Sequence, residues 1–268
     1  MIKTVLITGA SDGIGLETAK ALVNQGHHVI LHGRNEAKLK QVEQSLLAEA
    51  NAPIETIVAD LSSLRAVRDL ATEIAERFGK LDVLINNAGV YTVAQTRTED
   101  DLDVRFAVNT IAPFYLTKAL LPLFDASGRV VNLSSAAQSS IDIDALEGKN
   151  MLSDGEAYAQ SKLALTMWSR DLGIKLKDTG PMVVSVNPKS FLGSKMVKDA
   201  YGMQGGDLQL GADILVRAAL SDEFSHAHGA YYDNDNEMFT EPHPEALDPN
   251  KTALVIRKME DILKRANA

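Results

Sequence analysis

The sequence predicts an α/β protein built on a doubly wound parallel sheet of about seven strands, with helices on both faces. Three observations carry that expectation: short β-branched and apolar runs recur along the chain, stretches of helical spacing separate them, and a glycine-rich turn follows the first run. The runs lie at 4–8, 28–32, 54–59, 82–86, 129–134, 182–187 and, more weakly, 230–233. They are apolar almost without interruption, as strands covered on both faces are. The intervening segments, 14–25, 36–50, 64–78 and 102–124, carry apolar residues at helical spacing. Alternation of this kind joins parallel strands through right-handed crossovers and so puts helices on both faces.

With 268 residues, 45% hydrophobic and 24% charged, the chain has material for one sizeable core. No repeat, low-complexity stretch or linker interrupts it, so residues 1–268 are expected to form a single domain. Segments 136–155 and 190–206 break the rhythm after strand ends, where open α/β sheets take their ligands, and are expected to wall a substrate site. A net charge of −9 argues against nucleic acid or an anionic membrane as the main partner. The absence of cysteine rules out disulfides, zinc–thiolate sites and a cysteine nucleophile, and the six histidines lack metal-ligand spacing, so no metal is expected. Residues 1–3 lead straight into the first strand without a signal-peptide pattern, and no apolar run is read as reaching the roughly 18 residues of a membrane helix. A cytoplasmic protein without a membrane anchor is the expectation.

The first strand runs into Thr8-Gly9-Ala10-Ser11-Asp12-Gly13-Ile14-Gly15 and then a helix. Glycines at 9, 13 and 15 let the backbone turn and approach a pyrophosphate, while the helix start offers free N–H groups and the positive end of its dipole. Ser11, Asp12 and Ile14 complete this candidate cradle. The second strand ends His32-Gly33-Arg34-Asn35, with an arginine where NAD sites commonly carry a carboxylate for the ribose 2′-hydroxyl. A guanidinium can pair with a 2′-phosphate, so NADP(H) is favoured over NAD(H), although Asp12 adds charge of the opposing sign.

Taken with Asp60-Leu61, Asn86-Asn87-Ala88-Gly89, Asn109, Ser134-Ser135, Tyr158-Ala159-Gln160-Ser161-Lys162 and Asn187-Pro188, this loop makes the chain resemble the short-chain dehydrogenase/reductase family over nearly its whole length. The ending Gly229-Ala230-Tyr231-Tyr232 and Pro244-Glu245-Ala246-Leu247-Asp248 is similar to the retinol-dehydrogenase-like branch, whose members act on varied apolar carbonyls and alcohols. The resemblance implies a Rossmann fold and a catalytic set of Asn109, Ser135, Tyr158 and Lys162. It puts Asp60 and Leu61 beside adenine, Asn87, Ala88 and Gly89 along a ribose, and Pro188 near the nicotinamide. Lys162 would bind the nicotinamide ribose, and Asn109 would hold a water linking Lys162 to solvent. The resemblance also implies a homodimer or homotetramer paired through 102–124 and 158–176. The family's usual Pro-Gly is here Pro188-Lys189, and its following threonine has only Ser194 nearby.

Tyr158 and Lys162, four apart, project from one face of a predicted helix. A free phenol titrates near 10, and a neighbouring ammonium is expected to lower that value. The reading is an oxidoreductase that moves hydride between NADP(H) and a carbonyl or alcohol, with Tyr158 as acid/base and Ser135 bonding the reacting oxygen. The competing reading is a non-catalytic NAD(P)-binding regulatory or scaffold protein on the same fold. Met238, Phe239 and Met259 are expected to pack rather than bind.

Overall fold

The computed structural model describes residues 1–48 and 50–266. In chain order the elements begin with β1 (Thr4–Ile7), α1 (Gly13–Asn24), β2 (His28–Gly33), α2 (Glu36–Leu47), β3 (Ile54–Val58), α3 (Leu64–Arg77) and β4 (Val83–Asn86). Next come α4 (Val104–Phe106), a π-helical turn (Ala107–Ile111), α5 (Ala112–Leu120), β5 (Arg129–Leu133) and α6 (Ile143–Leu146). The chain continues through α7 (Asp154–Leu176), β6 (Met182–Asn187), α8 (Lys195–Tyr201), α9 (Leu208–Leu220), β7 (Tyr231–Asp233), β8 (Met238–Thr240) and α10 (Pro249–Ala266).

One sheet takes the strands in the order β3-β2-β1-β4-β5-β6-β7-β8. The first seven are parallel, and β8 runs antiparallel along β7. The sequence predicts about seven strands; the eighth is a three-residue edge added by a turn at 233–237. There Asp233 accepts from the Asp235 N–H (3.1 Å) and the Asn236 amide (2.6 Å), which folds the chain back.

Alternation along the strands builds two cores. Val5, Ile7, Val29 and Leu31 face α1 and α9, whereas Leu6, Ile30, Ile57 and Leu84 face α3 and α5. Burying each such side chain contributes roughly 1.5–3 kcal/mol, which fixes the register of every central strand. A third cluster joins α7 to α10 through Trp168, Phe114 and Met259.

The apolar stretch Val104–Leu123 is, among the described residues, long and apolar enough to cross a membrane by length and composition, which corrects the expectation that no such run exists. Within the fold 67% of it is buried, and it divides into α4, the π turn and α5 rather than one straight helix.

Candidate active site

The ends of β1 to β6 open into one cavity of about 670 Å³. At its nucleotide end, Gly9 (φ +68°) and Gly13 (φ +56°) take the left-handed backbone that glycine alone adopts without strain. A Cβ on Gly9 would lie 2.9 Å from Ala88 Cα, and one on Gly15 would overlap the Gly9 carbonyl and the Asn87 amide. The Asn87 amide donates to the carbonyls of Thr8 (2.8 Å) and Gly9 (3.1 Å), and the N–H groups of Asn87 and Ala88 donate to Thr8 Oγ1. The loops after β1 and β4 are thereby clamped together. His32, fully buried, joins the same frame: its Nδ1 accepts from the Gly9 N–H, and Nε2 bonds the Ala59 carbonyl at 3.2 Å.

Asp12 does not confront the nucleotide cradle as an unpaired charge. It caps α1 by accepting from the Gly13 N–H (2.8 Å), and its other oxygen pairs with Lys38 at 2.6 Å. That hydrogen bond holds its carboxyl below the usual range. Arg34 and Lys38 line the same end of the cavity, with Ser11, Ile14, Asp60, Leu61, Asn87, Ala88 and Gly89 along its floor and sides. Lys38 escapes the sequence reading; its position one turn into α2, four residues after Arg34, is the signal that could have found it.

At the other end stand Ser135, Tyr158, Lys162 and Pro188. β5 stops at Leu133, so Ser134 turns inward and bonds Thr166 at 2.7 Å, leaving Ser135 to face the cavity. Ser135 Oγ accepts from the Ala137 N–H (3.1 Å). A capping box formed by Ser153 and Glu156 starts α7 just ahead of Tyr158. Lys162 is 3% exposed, and Nζ donates to the Leu133 carbonyl at 2.6 Å.

The electrostatics differ from the expectation. Burial pushes the Lys162 ammonium down to about 7 and the Tyr158 phenol up, with the neighbouring Ser135 hydroxyl opposing the latter. Nζ lies 5.6 Å from the Tyr158 ring centre, and desolvation of the two buried groups outweighs their attraction. Tyr158 is therefore a neutral phenol at neutral pH, the form in which its hydroxyl is a hydrogen-bond donor. Asn109 stands beside Lys162 under Gly89: its Oδ1 and Lys162 Nζ lie 3.5 and 3.6 Å from where a Gly89 Cβ would sit. From the π turn its amide brackets Val90, accepting from the N–H at 2.8 Å and donating to the carbonyl at 3.0 Å, and it donates to Ser161 at 3.0 Å.

The model of the short chain dehydrogenase family matches residues 3–204. The chain belongs to that family. Retinol dehydrogenase 13 of Homo sapiens is 32% identical over 266 residues, covering 92% of this chain and 80% of its own. In three dimensions the fold is similar to an uncharacterized protein from Mycobacterium paratuberculosis (TM-score 0.81, 26% identity, 98% of this chain and 93% of that one). It is also similar to a short chain dehydrogenase from Burkholderia cenocepacia solved in complex with NADP (TM-score 0.70, 26% identity, 86% and 95%).

In this short-chain dehydrogenase, segment 190–206 does wall the cavity, through Phe191, Met196 and Tyr201. Of segment 136–155, also expected to wall the site, only Ala137 lines the cavity: Asp142 caps α6 and holds Asn150, and Glu147 pairs with Lys149 and Lys258. Lys189 keeps a positive φ of 119° despite its side chain, and Phe191 follows at +54°. Ser194 lies against the glycine loop, 3.8 Å from where a Gly13 Cβ would sit. The sequence reading also misses an aromatic wall. Tyr91 packs 4.7 Å from Tyr158 and 5.8 Å from Tyr201, and Tyr201 packs on Phe191 at 5.4 Å. Tyr91 sits two residues beyond the Asn87-Ala88-Gly89 run, a position from which a side chain could be expected to enter the site.

Proposed function

We propose that this oxidoreductase interconverts apolar carbonyls and alcohols with NADP(H), Tyr158 serving as acid and base. The observation that carries the reading is the single cavity with glycine loops and two cations at one end and Ser135, Tyr158 and Lys162 at the other. The glycine positions leave backbone-lined space that a Cβ would close, which suits a dinucleotide. Arg34 and Lys38 suit a 2′-phosphate, and Asp12 is already neutralised by Lys38. When bound, the nicotinamide supplies the hydride.

In reduction, Tyr158 Oη gives its proton to the carbonyl oxygen while Ser135 Oγ holds that oxygen as charge develops on it. Lys162, with only the Leu133 carbonyl as a partner among the described residues, has donors free for a ribose hydroxyl. The aromatic surface of Tyr91, Tyr201 and Phe191 along the cavity favours an apolar substrate.

The test is NADPH oxidation with a panel of aromatic and aliphatic ketones. Tyr158→Phe is expected to lower turnover by at least about 100-fold, the scale of general acid catalysis, while NADPH affinity holds. Arg34→Ala is expected to weaken NADPH by about tenfold and leave NADH unchanged. Full turnover in Tyr158→Phe would refute the mechanism.

A further inference from the structure

Ser135 lies two residues beyond the end of β5, past the last ladder bond there, the Ser134 N–H to the Val186 carbonyl at 2.8 Å. Its backbone is instead held by two side chains. The Gln138 amide donates to the Ser135 carbonyl at 2.9 Å, and the Tyr231 hydroxyl donates to the same oxygen at 3.0 Å. Tyr231 belongs to β7, two strands from β5 in the sheet. Its neighbour Tyr232 points into the core beside α9, so Tyr231 points to the opposite face, the one carrying α7 and Tyr158. Tyr231 is 7% exposed and does not line the cavity.

We propose that Tyr231 is a positioning residue: it fixes the peptide after Ser135 and thereby aims Ser135 Oγ at the reacting oxygen. A carbonyl with two donors cannot rotate without breaking both bonds. The Ser135 side chain has only its own χ1 left to choose, and the Ala137 N–H already restricts that choice. Loss of the Tyr231 hydroxyl leaves the carbonyl with Gln138 alone, so no buried acceptor is orphaned and the fold keeps its stability. What is lost is the aim of Ser135.

This role rests on the proposed carbonyl reduction, and a double-mutant cycle separates the two. Isatin, an aromatic dicarbonyl, is the probe, with NADPH as reductant. Tyr231→Phe is expected to lower kcat about tenfold, the equivalent of one neutral hydrogen bond. The KM for NADPH and the melting temperature are expected to stay at their wild-type values. In a Ser135→Ala background, where nothing remains to aim, the same substitution is expected to change kcat less than about twofold. An equal fold loss in both backgrounds, or no loss in the wild-type background, overturns the positioning role. Persistence of isatin reduction in Tyr158→Phe overturns the proposed function instead, since the measured turnover would then not arise at this site.

Discussion

His32 links the nucleotide cradle to the pH dependence of stability. Its ring is 2% exposed, accepts from Gly9 at one nitrogen and bonds the Ala59 carbonyl through the other. Only the neutral tautomer with a proton on Nε2 satisfies both partners. Burial pushes its pKa down to about 4. A histidine with a depressed folded pKa binds its proton first in the unfolded chain. Its contribution to stability is therefore complete above about pH 6.5 and is lost as pH falls toward 4, by about 3 kcal/mol over that window. Urea unfolding of the wild type and His32→Gln at pH 7 and pH 4.5 measures this. Glutamine offers an uncharged donor and acceptor, so the variant should lose less stability on acidification. Parallel losses in the two proteins would show that His32 is not the group responsible.

At the scale of elements, two loops and one helix hold the site. Arg105 is fully buried; its guanidinium grips Asp103 through two bonds (2.8 and 2.6 Å), reaches the Tyr91 carbonyl at 3.3 Å and pairs with Asp154 at the start of α7. The helix bearing Tyr158 is thus tied to the loop bearing Tyr91. Opposite them, the loop after β6 holds Lys189 and Phe191 at positive φ, braced by Asp235, which accepts from the Ser190 N–H (2.9 Å), Ser190 Oγ (2.6 Å) and the Asn187 amide (2.9 Å). A non-glycine residue held there costs roughly 1–3 kcal/mol. Lys189→Gly is expected to raise the urea midpoint, the relief of strain exceeding glycine's added unfolded-state entropy of about 0.4–1 kcal/mol. Lys189→Ala keeps the Cβ and loses the charge, so no such gain is expected from it. Equal effects of the two would point to charge rather than backbone strain. The departure from Pro-Gly was legible in the sequence because a glycine's usefulness is a local backbone property. The seven parallel strands were legible for a similar reason, since an unbroken apolar run declares itself. The aromatic wall, the π turn around Asn109 and the short edge strand β8 were not, because each depends on what the rest of the fold brings against it. The lowering of Tyr158 by Lys162, read from four-residue spacing, failed because spacing does not report how deeply both groups are buried.

For the whole molecule, α10 decides which surfaces are free for assembly. Pairing through α5 and α7 is what the family resemblance implies, yet Val255, Met259 and Ile262 of α10 are buried against the cluster that includes Phe114 of α5 and Leu163, Met167 and Trp168 of α7. Lys118 on α5 pairs with Glu260 at 2.7 Å, Lys258 pairs with Glu147 at 3.1 Å, and Arg68 on α3 reaches the Ala266 carbonyl at 3.1 Å. A dimer using those helix faces would have to displace α10 and expose three buried apolar side chains, a cost of roughly 1.5–3 kcal/mol for each before any new contact formed. The wild-type protein is therefore expected to scatter light as one chain. Met259→Glu, which drives a charge into this cluster, is expected to lift α10 and convert the protein to larger species, because the uncovered apolar face then needs another partner. A wild-type dimer that survives Met259→Glu unchanged would mean that assembly uses a surface unrelated to α5 and α7.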